Sequence, residues 1–357
     1  MPRVPGYAPG MKAITVQRRG TPVAGNVRIV DDWPEPVAPA PGQARIRTLA
    51  TAFNHMDLWV GMGVPGLELA YPRVSGCDAC GVVEAVGDGV EGAWVGRRVI
   101  VNAAVRVPER DGPDNPPAAT LAPNYELIGE HHTGMLAERF NAPVSNLACV
   151  GDGADPVAAA AFGLCALTGW SMMVTKGGLR PGQSVLITGI GGGVATAALS
   201  IARHHGCRVA VTSRHQWKLD RASDLGADLC VLDDGSDWSG QVRSWTNKRG
   251  VDMAVDSVGR ATHLSCIKSL ARGGAYVTPG CTSGPEATTD LARIFWNQLR
   301  VLGSTMGTND EFRQVAALFQ SGRLEPVVDT VFSPSEAVKA YERLEAGDQF
   351  GKIVIRW

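Results

Sequence analysis

Aromatic side chains are scarce in this chain of 357 residues: Phe, Tyr and Trp together make up 6%. Net charge is scarce too, at -1 from 34 basic and 35 acidic side chains. A near-neutral chain has no electrostatic means of holding a nucleic-acid backbone or an anionic lipid surface. The nine tryptophans show no helical stripe on which bases could stack, so they are expected in the core and in pocket walls. No uninterrupted apolar stretch is expected to reach the ~18 residues of a membrane-spanning helix, and the opening MPRVPGYAPG lacks a signal-peptide core. The expectation is a cytoplasmic protein with no nucleic-acid or membrane partner. Its eight cysteines are scattered, and Cys149, Cys165, Cys230 and Cys266 lie in apolar segments, as reduced and buried thiols do. Lysine is sparse as well, 7 against 27 arginines, which identifies no ligand.

What is present is one complete β-α-β pattern between Ser184 and Lys218. An apolar run, Val185 to Thr188, breaks into Gly189-Ile190-Gly191-Gly192-Gly193-Val194. A helical segment follows in which Val194, Ala197, Ala198, Ile201 and Ala202 share a face. Gly206 ends it, and a second strand runs from Cys207 to Thr212. Glycines let the chain turn out of the strand and bring backbone close to a pyrophosphate, while the helix start offers amides to negative charge. Strand before and helix after make this a dinucleotide fingerprint rather than a chance glycine cluster.

The end of the second strand selects the cofactor. NAD sites place Asp or Glu there to accept from the ribose hydroxyls. Here the residues are Ser213 and Arg214, with Lys218 a helical turn on. A hydroxyl and two cations suit a 2′-phosphate, so the expectation is NADP(H). The plainer alternative is that both cations are ordinary solvated charges.

Beyond the fingerprint, strand-like runs recur at Asp228–Leu232, Val251–Asp256, Ala275–Thr278 and Arg300–Gly303, separated by helical or glycine-rich segments. That alternation predicts a doubly wound parallel sheet, a Rossmann domain over 165–308. Before it, short β-rich runs such as Ala44–Leu49, Gly81–Val86 and Arg97–Val101 predict a small antiparallel, barrel-like domain over 1–164. An amphipathic helix after Thr308 running through Phe319, a second from Ser335 to Leu344 and a closing strand, Lys352–Arg356, are expected to return to it, so 309–357 is assigned there. Residues 106–123 form a proline-rich loop without periodicity.

A family resemblance rests on particular residues. Met11-Lys12-Ala13, NHMDLW (54–59), GCDACGVVEAVGDGV (76–90), GEHHTGMLAE (129–138), LTGW (167–170), the fingerprint, VDSVG (255–259), LGSTMGT (302–308) and FGKIVI (350–355) follow one another as in the medium-chain dehydrogenase/reductase superfamily. The chain resembles its zinc-type alcohol dehydrogenase and quinone oxidoreductase branch from Met11 onward. The resemblance implies an α/β protein: a GroES-like β-barrel catalytic domain, a Rossmann domain, and an active site in the cleft between them.

The departures matter as much. Where the zinc enzymes carry their three catalytic ligands, this chain has Asn54, Cys77 and Leu164, and the cysteine-rich structural-zinc lobe is replaced by the cysteine-free loop 106–123. Zinc takes about three N, S or O donors from protein, which these residues do not supply. A zinc-free enzyme is therefore expected. The hydroxyl and His of the family's proton relay are replaced by Met56 and Trp59. Alcohol oxidation then lacks both its Lewis acid and its relay, whereas reduction of an activated C=C bond needs a hydride, a donor to the developing enolate and a proton. The expectation is an NADPH-dependent reductase of enones, enals or enoyl esters, with quinone or carbonyl reduction, or cofactor binding without catalysis, as the rivals.

By the same resemblance, Asn54 either donates to the substrate oxygen or stabilises its loop. Cys77 either lines the pocket or acts as an acid near the nicotinamide; the pair with Cys80 is weak grounds for redox chemistry. His55 falls where relatives contact the cofactor pyrophosphate, or is a solvated loop residue. Thr168 falls beside the nicotinamide, Ser257 and Val258 on the adenosine side, and Gly280, Ser304, Thr305 and Met306 at strand ends where backbone meets the carboxamide. Asp78 is expected to pair structurally with Lys352. His131, His132, His204 and His205 read as surface residues, and Trp59, Met62 and Trp296 as pocket wall around a small-molecule substrate. The segment Leu291–Leu302, leading to the edge strand by which relatives pair, implies a homodimer or, by the same pattern, buried packing within one subunit.

Overall fold

The computed structural model describes residues 10–106, 119–122 and 125–357, so most of the loop 106–123 lies outside it. Two compact units divide the chain. One comprises Met1–Leu164, Phe312–Ser321 and Val328–Trp357; the other comprises Cys165–Glu311 and Gly322–Val327.

The first unit is built on the strand Gln43–Ala52, in which inward residues alternate with outward ones. It pairs antiparallel with Ala79–Val86, with Arg139–Pro143 and with Lys352–Arg356. Arg98–Val101 and Leu147–Cys149 extend this sheet on one side, and Val328–Phe332, parallel to Lys352–Arg356, extends it on the other. A second sheet joins Val27–Trp33, Met11–Val16 and Arg73–Val74. Its core holds Ile14, Val16, Phe53, Leu58, Leu136, Tyr341, Ile353 and Ile355, all buried. Tyr341 comes from the helix Ala337–Ala346, whose apolar residues 337, 340, 341 and 344 recur at helical spacing. The Glu336 carboxylate accepts the Ser333 N–H at 3.2 Å just before that helix, and Gly347 ends it in the left-handed region (φ 69°).

The second unit holds six parallel strands in the order Leu229–Leu232, Arg208–Ser213, Ser184–Ile187, Val251–Val255, Leu270–Thr278 and Arg300–Gly303. All four residues of the central strand Ser184–Ile187 are buried, as a sheet covered on both faces requires. The order reverses between Ser184–Ile187 and Val251–Val255, the point at which open α/β sheets bind ligands beyond their carboxyl ends.

Four local expectations need correction. On the helix Gly193–His204 the buried face is Ala195, Ala198, Leu199, Ile201 and Ala202, while Val194 and Ala197 are half-buried. An alanine-rich helix offers little contrast from which to read its phase. The strand expected to begin at Ala275 begins at Leu270, and its register against Val251–Val255 shifts across Gly273-Gly274. Cys149 is exposed and Cys230 half-buried, because Leu147–Cys149 and Leu229–Leu232 are outer strands of their sheets. Finally, the 21 residues Pro156–Lys176 are long and apolar enough to span a membrane, with mean hydropathy 1.7. An 18-residue stretch of it is 78% buried within the protein, the position of a core helix.

Candidate active site

The residues standing where zinc ligands would be form one hydrogen-bonded cluster in the first unit. Asn54 precedes the helix His55–Met62, Cys77 and Asp78 precede the strand Ala79–Val86, and Lys352 opens the strand Lys352–Arg356. The Lys352 ammonium donates to Asn54 Oδ1 at 2.6 Å and to Asp78 Oδ2 at 2.9 Å. Asn54 Nδ2 donates in turn to Cys77 Sγ at 3.3 Å and to Asp78 Oδ2 at 3.0 Å. Asp78 Oδ1 takes the backbone N–H of Leu164 at 2.8 Å. The Asp78 and Lys352 side chains are 1% and 3% exposed, so each charge depends on the other for compensation. The expected Asp78–Lys352 pair is present, and it is wired into the expected catalytic residues.

Asp57 lies beneath this cluster, fully buried, and accepts the Asn54 backbone N–H at 2.8 Å. Burial raises its pKa to about 6, against the opposing pull of the Asn54 N–H and of Lys352. Cys80, also buried, is pushed up to about 12 by desolvation, and a thiol held that strongly in its neutral form is a poor nucleophile for a Cys77–Cys80 redox pair. His55 is exposed on the first turn of its helix, its ring 5.6 Å from that of Trp59.

In the second unit the fingerprint residues turn as a dinucleotide cradle does. Gly189 and Gly191 have φ of 61° and 116°, a region open to glycine at no steric cost. A Cβ on Gly189 would meet Val258 Cγ2 at 2.7 Å, so the Gly189–Val194 turn and the Ser257–Val258 turn touch. Gly192 caps the helix Gly193–His204 with no side-chain bond to its first amides. Ser213 Oγ accepts the His215 N–H at 3.2 Å, which leaves its own proton to donate. Lys218 is buried with Nζ 5.2 Å from the Trp217 ring centroid, and Arg214 is exposed. Thr168 and Thr212 each bury a hydroxyl with no hydrogen-bond partner among the described residues. Buried hydroxyls are ordinarily paired. These two orphans and the glycine turns fit a polar ligand such as a nicotinamide dinucleotide.

The remaining expected cofactor residues also gather at strand ends. Thr282 and Ser283 N–H groups donate to the Ser257 and Val258 carbonyls at 3.2 and 2.8 Å, Thr278 Oγ1 donates to the Gly280 carbonyl at 2.8 Å, and Ser304 N–H donates to the Thr278 carbonyl at 2.9 Å. Met306 is buried with φ of 44°, a left-handed conformation unusual for a non-glycine residue. Lys176 Nζ donates to Ser304 Oγ at 3.1 Å, while Glu311 accepts from Thr175 Oγ1 at 2.5 Å and from Thr308 N–H at 2.7 Å. Sequence reasoning named neither Lys176 nor Glu311. Their only signal was the charge each carries beside an apolar segment.

Comparison with known proteins agrees with this architecture. The Alcohol dehydrogenase GroES-like domain pattern matches residues 40–152, and the Zinc-binding dehydrogenase pattern matches residues 193–321. The chain is 30% identical over 335 residues to the zinc-type alcohol dehydrogenase-like protein YogA of Leptosphaeria maculans, covering 89% of this chain and 91% of that one. It is 28% identical to the acryloyl-coenzyme A reductase of Metallosphaera sedula, covering 97% and 99%. A crystal structure of an NAD-dependent alcohol dehydrogenase superposes with a TM-score of 0.90 at 37% identity, covering 97% of this chain and all of that one. This chain is a medium-chain dehydrogenase/reductase of the zinc-type alcohol dehydrogenase and quinone oxidoreductase branch, with the GroES-like and Rossmann-type domains of that superfamily. It is accordingly an oxidoreductase of a superfamily that uses a nicotinamide cofactor.

The zinc implied by the family does not fit the donors found here. Cys77 Sγ faces a carboxamide N–H, Leu164 offers a hydrocarbon side chain, and the Lys352 ammonium already occupies Asn54 Oδ1 and Asp78 Oδ2. Among the described residues no three His, Cys, Asp or Glu side chains converge as metal ligands. A divalent cation at these atoms would sit against a buried ammonium.

Proposed function

We propose that this protein is a zinc-independent, NADPH-dependent reductase of activated C=C bonds in enones, enals or enoyl esters. The observation that carries the reading is Lys352: a buried ammonium bonded to Asn54 and Asp78, in the cluster that holds Cys77. When bound, the dinucleotide supplies the hydride, which goes to the β-carbon. Asn54, its carbonyl oxygen held by Lys352, directs one N–H at Cys77 Sγ, a weak acceptor. Exchanging that bond for one to the substrate carbonyl oxygen places a donor where enolate charge develops. The α-carbon then takes a proton from the Cys77 thiol or from water.

Ser213, Arg214 and Lys218 support NADPH over NADH. The expectation of a homodimer is supported by Leu291, Phe295 and Trp296, exposed at 70%, 70% and 69% beside the edge strand Arg300–Gly303. None of the eight cysteines is in a disulfide, which suits the cytoplasm.

The test follows NADPH oxidation by EDTA-treated protein against enones, enoyl thioesters, quinones and ketones, with products identified by mass. A saturated carbonyl product at full activity after metal removal is expected. Activity lost with EDTA and restored by zinc, or reduction confined to C=O groups, would overturn the reading; turnover of quinones alone would favour a quinone reductase.

A further inference from the structure

Asp256 is the most heavily hydrogen-bonded carboxylate of the nucleotide-binding unit, and no step above uses it. It directly follows the strand Val251–Val255 and is completely buried. Its Oδ1 accepts from Thr188 Oγ1 at 2.6 Å, Thr262 Oγ1 at 2.8 Å, Val258 N–H at 2.9 Å and Gly259 N–H at 3.2 Å. Its Oδ2 accepts from the Tyr276 hydroxyl at 2.8 Å. The donors come from separate segments. Thr188 follows the strand Ser184–Ile187 and precedes Gly189, Val258 and Gly259 lie in the turn after Asp256, and Tyr276 lies on the next strand, Leu270–Thr278.

The two strands bridged by the Thr188 contact are those between which the strand order reverses. A buried carboxylate with no ion pair among the described residues is costly unless its lone pairs are filled, and here two amides and three hydroxyls fill them. The satisfied carboxylate therefore behaves as a rigid knot. It fixes the Thr188–Gly189 turn against the Val258–Gly259 turn, whose contact already allows no Cβ at Gly189.

We infer that Asp256 is a positioning residue for the dinucleotide: it sets the spacing of the Thr188–Gly189 and Val258–Gly259 turns, which would hold the cofactor between them. This rests on the cofactor reading above and adds to it a residue that would not touch the ligand.

The experiment measures NADPH and NADH dissociation constants by protein-fluorescence titration, well below the thermal midpoint, together with urea unfolding of the ligand-free protein. In Asp256→Asn the amide oxygen can still accept the four donors on Oδ1, and its NH₂ can donate to the Tyr276 oxygen. NADPH binding is expected to weaken by no more than about fivefold, against about 100-fold or more in Asp256→Ala, at roughly a factor of up to ten per lost bond. Thr188→Val, isosteric but without the donor, is expected to weaken binding by about tenfold, with a fall in urea midpoint that reports separately the loss of one donor to the buried carboxylate. If Asp256→Ala does not fold, Thr188→Val and Asp256→Asn decide. Unchanged cofactor affinity in Thr188→Val, or a stability loss in Asp256→Ala without an affinity loss, overturns the inference while leaving the cofactor reading intact. Failure of the unmodified protein to bind either dinucleotide overturns both.

Discussion

Lys352 Nζ lies 2.9 Å from Asp78 Oδ2 although the two residues are 274 positions apart, and both side chains are almost wholly buried. Removing one member leaves a buried charge without compensation, so Lys352→Met is expected to cost about 3–5 kcal/mol of unfolding free energy. Lys352→Met combined with Asp78→Leu should recover much of that loss, short of complete because Leu164 N–H and Asn54 Nδ2 lose their acceptor. Urea unfolding of the two single variants and the double variant checks this. Strictly additive losses would show that the pair is not coupled.

Asp57 gives a pH signature of defined sign. Its folded pKa, about 6, lies above the ordinary 3.8, so ionisation is resisted by the folded state. The penalty is complete above about pH 6 and is relieved as pH falls through 6 towards 4. The contribution of this group to stability therefore falls as pH rises across that window, by about 3 kcal/mol at 1.36 kcal/mol per pKa unit. Asp57→Asn should flatten that segment of the stability profile. A variant profile parallel to the parent between pH 4 and 6 would refute the assignment.

Arg214 is exposed at the end of the strand Arg208–Ser213, where a 2′-phosphate would lie. Arg214→Ala should raise the KM for NADPH by about tenfold, the size of one charge-assisted contact, and leave that for NADH within about twofold. Equal effects on the two cofactors would remove the argument for NADPH.

The Thr168 hydroxyl is buried without a partner among the described residues. In Thr168→Val the ligand-free protein should be as stable as the parent or more so, by about 1 kcal/mol, since an unpaired polar atom is exchanged for a methyl group. Cofactor affinity or turnover should fall by about tenfold if that hydroxyl meets the nicotinamide. Thermal midpoints of ligand-free and NADPH-bound protein separate the two effects; equal shifts in both would place Thr168 outside the site.

Phe295 and Trp296 leave large apolar surface exposed beside an edge strand. Trp296→Asp should convert a dimer to monomer in sedimentation velocity while leaving the thermal midpoint of the monomer unchanged. A parent protein that sediments as a monomer refutes the dimer outright.

The nucleotide-binding half was legible because its signals are local. A strand, a glycine turn and a helix occupy consecutive residues, and the expected strands at 251–256 and 300–303 differ from those observed, Val251–Val255 and Arg300–Gly303, by at most one residue. At the other site the resemblance pointed to Asn54, Cys77 and Leu164 as the residues at the zinc-ligand positions, and the structure shows Asn54 and Cys77 hydrogen-bonded to one another. Phase and exposure were less legible. Alanine-rich segments carry little amphipathic contrast, which left the buried face of the helix Gly193–His204 misread, and the outer position of Leu147–Cys149 is a property of sheet order rather than of its apolar composition.

The sequence by itself determined the class of this protein, its parallel nucleotide-binding sheet and the loss of a zinc donor set, because these depend on residue identity and on spacing over a few tens of residues. Only the tertiary structure decided that Lys352 bonds to Asn54 as well as to Asp78, that Asp256 collects donors from residue 188 to residue 276, and that the Thr168 hydroxyl has no partner among the described residues. Those are meetings of side chains far apart along the chain. They are fixed by how strands stack and pair, and no periodicity in the sequence records them.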